Sequence, residues 1–479
     1  MPDRDLCFTP AIELVRLFRA RKVSPLEVMQ AVLARIDQVN PQLNAYVTLA
    51  RESALRAARA ATAALRRGAA LPPLHGVPVS LKDNTPTQGI RTTWGSRIFE
   101  HHVPDEDALI VQRLKRAGAI VVGKTNTPEF GAGANTFNAV FGATRNPWNP
   151  ALTCGGSSGG AAVALATGMG PLAQGSDLGG SLRIPGAFCG VVGFRTTPGL
   201  VPVYPRELAW DSLSVQGPMA RTVADTALML SVIAGPDDRA PLSYGVDTRE
   251  FLKAVRRPSV KGWRVAWTPD LKGLIPVDAE VARIAEGATR TFRSLGARVE
   301  AACPDFGEVN EIVLATRGLS MVALHAEKLP RWKDQMQQGL VWNIEQGLRL
   351  TPEAIGRGER LRTLLWHRVR TFLESYDILI LPTVAVPPFP VEQPYPTEIN
   401  GEPLDNYTQW FFLTYGITVT GLPAISVPCG FTRDGLPVGL QIVGQRRQEA
   451  AVLRAAAAFE AAAPWAGRIP AVVSGRAER

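Results

Sequence analysis

For 479 residues the chain is poor in cysteine and histidine, with five of each. Cys7, Cys154, Cys189, Cys303 and Cys429 are odd in number, widely spaced and free of any Cys-x-x-Cys pair. That pattern excludes a disulfide framework and a cysteine zinc site. No run of about 18 apolar residues is present, so no membrane-spanning helix is expected. Met1–Leu14 carries acids and has no apolar core, so no secretory signal is expected either. Concentrated positive charge is also lacking. The net charge is +9, yet it is spread along the chain, and the adjacent arginines are only the pairs Arg66-Arg67, Arg256-Arg257 and Arg446-Arg447. Diffuse charge of this kind describes a solvated basic surface, and no nucleic-acid partner is expected. The expectation is a cytoplasmic protein without metal or cofactor, a monomer or homodimer.

What is present is an ordinary globular composition, 46% hydrophobic, enough for a sizeable core. With no Ser/Gly linker, low-complexity segment or repeat to divide it, residues 1–479 are expected to form one domain. It comprises an N-terminal helical segment (1–70), a core (71–235) and a helical insertion at about 306–370 bearing Trp332, Trp342 and Trp366. Thr9 is expected to cap a first helix with Pro10 at its first position, and Ser24-Pro25-Leu26-Glu27 reads as a capping box. A third helix is expected from Glu52 to Arg67. Beyond Leu71, short apolar runs (Val77–Leu81, Ala119–Val122, Arg264–Trp267, Ala297–Glu300, Ile378–Leu381, Ala424–Val427, Val438–Val443) alternate with helical patterns (Ala108–Ala117, Val223–Ile233, Val277–Leu295, Ala450–Ala462). Alternation of this kind predicts an α/β fold, a mixed or largely parallel sheet covered by helices. The proline-rich stretch Pro382–Pro396 cannot be helical and is expected to cross the surface.

Two short motifs mislead. Gly118-Ala119-Ile120-Val121-Val122-Gly123-Lys124-Thr125 fits the nucleotide-binding P-loop expression, but its middle residues themselves read as strand. No loop is left to cradle a phosphate, so a nucleotide-binding role for Gly118–Thr125 is a minor alternative. Gly155-Gly156-Ser157-Ser158-Gly159 fits the nucleophile elbow, which needs a downstream Asp and then a His. His75, His101 and His102 precede the serine, and His325 and His367 fall inside helical patterns. Cys154 and Cys189 have no histidine nearby and read as small buried hydrophobes.

The longer pattern is more specific. Two serines lie in glycine-rich turns, Cys154–Gly160 and Gly175–Arg183, where backbone N–H groups can converge beside a hydroxyl. The block from Gly155 to Pro198 resembles the amidase signature family. Lys82-Asp83-Asn84, Gly123–Glu129, Asn146–Pro150 and Gly217–Arg221 also look like that family, and weaker matches at Gly421–Ile425 and Gly435–Gln441 extend the likeness almost to the C-terminus. The resemblance implies a Ser–cis-Ser–Lys triad, with Ser181 as nucleophile, Ser157 as the bridging serine after a cis Gly156–Ser157 peptide, and Lys82 as base. It implies an oxyanion hole from the backbone N–H groups of Leu178, Gly179, Gly180 and Ser181. It further implies a supporting polar network of Ser158, Asp177 and Arg183. Each role has a physical basis. A serine hydroxyl needs a base, and a lysine at the end of an apolar strand is desolvated, which lowers its pKa. Asp83 either stabilises the lysine's charge or caps the strand end.

The expected partner is a small-molecule amide or carbamate. Gly131, Ala132 and Gly133 lie where the family's resemblance places a loop past the reacting carbonyl. Tyr204, Arg206 and Trp210 are expected in a lid. The helical insertion and the Tyr407–Tyr415 segment either line an apolar pocket or form core. Within the family the chain resembles aryl acylamidases and urethane-hydrolysing members. The alternative is the glutaminase subunit of a tRNA-dependent amidotransferase, which needs a charged pair to grip free glutamine.

Overall fold

In the computed structural model, which describes residues 5–68 and 70–474, a mixed sheet of eleven strands runs through the molecule. Positions 1–4, 69 and 475–479 of the expected domain lie outside the described residues. The strands are β1 (Tyr46–Leu49), β2 (Pro78–Lys82), β3 (Ile120–Thr125), β4 (Leu172–Asp177), β5 (Val192–Arg195), β6 (Val215–Ala220), β7 (Arg264–Trp267), β8 (Arg298–Ala301), β9 (Ile378–Pro382), β10 (Ala424–Phe431) and β11 (Pro437–Gly444). Their spatial order is β1-β3-β2-β4-β6-β5-β10-β11-β9-β7-β8. The β3-β2-β4 and β9-β7-β8 neighbours are parallel, and the remaining pairs antiparallel. Every residue of β2, β9 and β11 is buried. That burial explains why these strands read as continuous apolar runs rather than alternating ones: helices flank the sheet, so both faces are covered. The expected α/β class with a mixed, helix-flanked sheet is what the structure has.

Most expected elements appear within a residue or two of their predicted bounds. The capping box at Ser24 is complete, with Ser24 Oγ accepting from the Glu27 N–H and the Glu27 carboxylate accepting from the Ser24 N–H. The first helix is a correction. It spans Ala11–Arg19 with Pro10 outside it, and Thr9 does not cap it. The cap is the Asp225 carboxylate, which accepts from the N–H groups of Ala11 and Ile12 at 2.9 Å each. Asp225 sits in another helix, Val223–Ile233, so nothing local in the sequence announces it. The Pro382–Pro396 stretch is non-helical but its first half is not on the surface. Pro382–Ala385 and Phe389 are buried, with the Phe389 ring 5.4 Å from Trp410. Val384, Ala385 and Phe389 supply the apolar area that pulls it inward.

Gly118–Thr125 is no phosphate loop: Ile120 to Thr125 is strand β3. Lys124 is wholly buried, its ammonium donating to the Thr85 carbonyl and to Thr87 Oγ1. The insertion is helical as expected, with helices at Val309–His325, Gln338–Leu348 and Pro352–Leu373. Among the described residues no helix is long and apolar enough to cross a membrane.

Candidate active site

The site lies at the C-terminal ends of the adjacent parallel strands β2 and β4, where open α/β sheets characteristically expose their ligand crevices. Lys82 is the last residue of β2 and is completely buried. Its backbone N–H is held by Gln174 Oε1 on β4 at 3.1 Å. Its ammonium reaches Ser157 Oγ at 2.6 Å and Ser176 Oγ at 3.0 Å. Burial lowers the Lys82 pKa from its ordinary value to about 7, and the charge of Asp177 opposes that shift only in part. This lysine therefore gives up its proton far more readily than an exposed one. Asp83 turns away from Lys82 and hydrogen-bonds Thr93 Oγ1 at 2.5 Å. Burial pushes its carboxyl up, against the Thr93 hydrogen bond and the charges of Lys124 and Arg91. Neither role weighed for Asp83 from the sequence matches that placement.

Ser157 follows a cis peptide bond from Gly156, and Ser158 stands at the N-cap of the buried helix Gly159–Ala166. The Ser158 N–H donates to the Ser181 carbonyl at 3.1 Å. Ser158 Oγ also lies 3.3 Å from the Ser176 carbonyl. These bonds tie the two glycine-rich turns to each other.

Ser181 sits between β4 and the helix Arg183–Cys189, 9% exposed. The turn that carries it is nailed down by Asp177. This carboxylate accepts from the N–H groups of Gly180 (3.0 Å) and Leu182 (3.2 Å). It also pairs with Arg183 at 2.9 Å and Arg195 at 3.1 Å, all three side chains being fully buried. Burial alone would raise the Asp177 pKa, but the two guanidiniums hold it well below the usual carboxylate range. Arg183 continues into the Thr414 carbonyl and Thr418 Oγ1. Gly180 has φ of +136°, and a Cβ there would lie 2.3 Å from Thr414 Oγ1, so only glycine fits. Because its N–H is committed to Asp177, Gly180 is removed from the expected oxyanion hole. Among the described residues the N–H groups of Leu178, Gly179 and Ser181 have no acceptor within the protein. Cys154 is an inert neighbour, its thiol pushed up to about 12 by burial.

A cavity of about 160 Å³ opens onto Ser157, Ser176 and Ser181. Gly131 and Gly133 line it, as expected. A Cβ on Gly131 would stand 3.5 Å from Ser157 Oγ. Arg206 also lines it, locked to Asp211 at 2.5 Å. Three expected residues are elsewhere. Ala132 lines a second, larger cavity of about 680 Å³ that shares Gly133 and Ala134 with the first. Tyr204 is covered by the Arg239 guanidinium 4.8 Å from its ring. Trp210 is 75% exposed, because the Arg206–Asp211 pair closes the segment and leaves it outside. The helix Val309–His325 supplies a wall, Arg317, Ser320, Met321, Leu324 and His325, at the spacing of one helical face. Phe411 completes the apolar side, whereas Trp342 and Trp410 line the second cavity and Trp366 packs into core.

Sequence reading missed Ser176, Arg195, Asp211, Arg317 and His325. Ser176 and Arg195 lie in or beside the glycine-rich block, but only the fold brings them to Lys82 and Asp177. His325 read as an ordinary helical residue. It faces the cavity as a neutral ring, its pKa lowered to about 3 by burial and secondarily by Lys328.

The amidase family model matches residues 27–453. The chain is 40% identical to an acylamidase of Rhodococcus erythropolis over 98% of its own length and 99% of that relative. It is 36% identical to a glutamyl-tRNA(Gln) amidotransferase subunit of Thermosynechococcus vestitus, over 95% of this chain and 98% of that one. A solved bacterial aryl acylamidase of the amidase signature family superposes with a TM-score of 0.91 at 30% identity, covering 98% of this chain and 99% of that chain.

Proposed function

The chain belongs to the amidase family and is an amidohydrolase, and from that premise we propose that Ser181, Ser157 and Lys82 hydrolyse small aryl and alkyl amides through an acyl-enzyme. The observation that carries this reading is the 2.6 Å contact between Lys82 Nζ and Ser157 Oγ, made by a lysine whose pKa lies near 7. Neutral Lys82 takes the Ser157 hydroxyl proton as Ser157 takes that of Ser181. Ser181 Oγ then bonds to the carbonyl carbon. The oxyanion meets the free N–H groups of Leu178, Gly179 and Ser181, each such donor contributing about 3 kcal/mol. On collapse the C–N bond breaks and the proton returns through Ser157 to the leaving nitrogen. Water, deprotonated along the same path, releases the acid. Lys124, the lysine of the nucleotide-binding alternative, is turned to Thr85 and Thr87 and takes no part.

The cavity beside Ser181 is close to the roughly 150 Å³ that accommodates a benzene-sized group. The larger cavity across Gly133 and Ala134 gives room for a bulkier portion of the substrate. Aryl carbamates and esters form the same tetrahedral oxyanion and are secondary substrates of this scheme. Hydrolysis of an anilide, an aryl carbamate and an ester tests it. All three are expected to turn over, and Ser157→Ala is expected to slow the anilide by about 10²–10⁴-fold. An unaltered anilide rate in Ser157→Ala would remove Ser157 from the proton path.

The likeness to the amidotransferase chain favours one competing reading, a glutaminase. It needs an acid for the glutamine ammonium. Asp211, the carboxylate on the cavity wall, is already taken by Arg206 and by the N–H groups of Leu213 and Ser214. The isolated chain is therefore expected to release no ammonia from glutamine while it cleaves an anilide; the reverse pattern would establish the glutaminase.

A further inference from the structure

Arg317 stands out on the cavity wall as a cation without an anion. It is 7% exposed and lines the cavity that holds Ser181. Its Nε donates to Asn343 Oδ1 at 2.7 Å and its Nη2 to the Tyr407 hydroxyl at 2.8 Å. Both partners are neutral, and the neighbouring Tyr415 is a buried hydroxyl rather than an acid. Among the described residues no carboxylate lies within ion-pair distance. Asn343 is itself fixed, its amide donating to the Gly339 carbonyl and the Tyr407 hydroxyl at 2.5 Å each. The guanidinium is thus held in one orientation by a neutral scaffold, over the Tyr407 ring at 5.9 Å, with no anion to answer its charge.

A buried guanidinium without an acid is costly, and folds rarely keep one that nothing answers. The other cation on this wall is matched, Arg206 to Asp211. His325, two helical turns from Arg317 on the same face, is neutral, and its buried Nδ1 has no hydrogen-bond partner. The cavity therefore carries one net positive charge, on a rigid planar fork suited to a carboxylate. Phe130, Met321, Leu324 and Phe411 supply apolar wall of the same cavity.

We infer that Arg317 binds a carboxylate of the substrate, so that the preferred substrates are amides bearing a free acid on the far side of a short apolar spacer. The inference rests on the reading of this cavity as the substrate site, and it names the class of molecule that fills it.

Two pairs of substrates test it. Succinanilic acid against butyranilide places the acid on the acyl side. 4-Acetamidobenzoate against acetanilide places it on the amine side. In at least one pair the acid is expected to have about 10–100-fold higher kcat/KM than its neutral counterpart. Arg317→Gln is expected to erase that preference, lowering kcat/KM for the acid about 10–100-fold more than for its neutral counterpart, and Arg317→Lys to restore part of it. Succinate is expected to inhibit competitively the wild type but not Arg317→Gln. It is also expected to bind Ser181→Ala in calorimetry, a readout that survives if the hydrolytic reading fails. Neutral substrates preferred in both pairs, or wild-type enzyme indifferent to succinate, would overturn the inference even if Arg317→Gln did not fold.

Discussion

Ser181→Ala is expected to reduce kcat on an anilide by about 10⁴–10⁶-fold while leaving the fold intact. In the proposed scheme the effect is large because this hydroxyl makes the new bond, and nothing adjacent replaces it. Ser157 Oγ is engaged by Lys82 at 2.6 Å, and Cys154 is held as an inert thiol by burial. The fold should survive because the Ser181 contacts that organise the turn are made by its backbone. Its carbonyl accepts from the Ser158 N–H, and the flanking Gly180 and Leu182 N–H groups bind Asp177. A fluorophosphonate adduct should map to Ser181 in the wild type and vanish in the variant. Labelling at Ser157 would exchange the two serines' roles.

Asp177→Ala is expected to cost about 3–5 kcal/mol of stability and to abolish activity. The carboxylate is the shared partner of Arg183 and Arg195, both fully buried. Removing it strands two cations and frees the N–H groups that shape the nucleophile's turn. The thermal unfolding midpoint measures this, and an unchanged midpoint would mean that the network carries no weight. The sign of its pH dependence follows from the depressed pKa. The stabilisation is complete above the ordinary carboxylate range and is lost progressively as pH falls from that range towards the lowered value. Between mild acid and mild base this network does not titrate, so it cannot produce a limb near neutrality.

The sheet was legible because strands buried on both faces read as plain apolar runs, and the capping box at Ser24 is a local signal. The Asp225 cap on the first helix and the inward fold of Pro382–Ala385 were not, since each depends on partners far along the chain. At the site, the family pattern pointed to Lys82, Ser157 and Ser181; the fold sets the two serines on one cavity and buries Lys82 against Ser157. The pattern could not reveal that Asp177 consumes the Gly180 N–H, nor that the Arg206–Asp211 pair leaves Trp210 outside. Arg317 and His325 stayed hidden for another reason. They share a helical face with ordinary apolar residues, and only the opposing wall makes that face part of a site.

The central claim is that a neutral, buried lysine drives the proton path to Ser181. It is tested most directly by the single-turnover rate of Ser181 acylation, followed across pH with an ester whose leaving group needs no protonation. The rate should rise through one ionisation with a midpoint near 7, as Lys82 loses its proton. A rate that stays flat from about pH 5 to about pH 9 would contradict it, because a lysine base cannot be equally active when fully protonated.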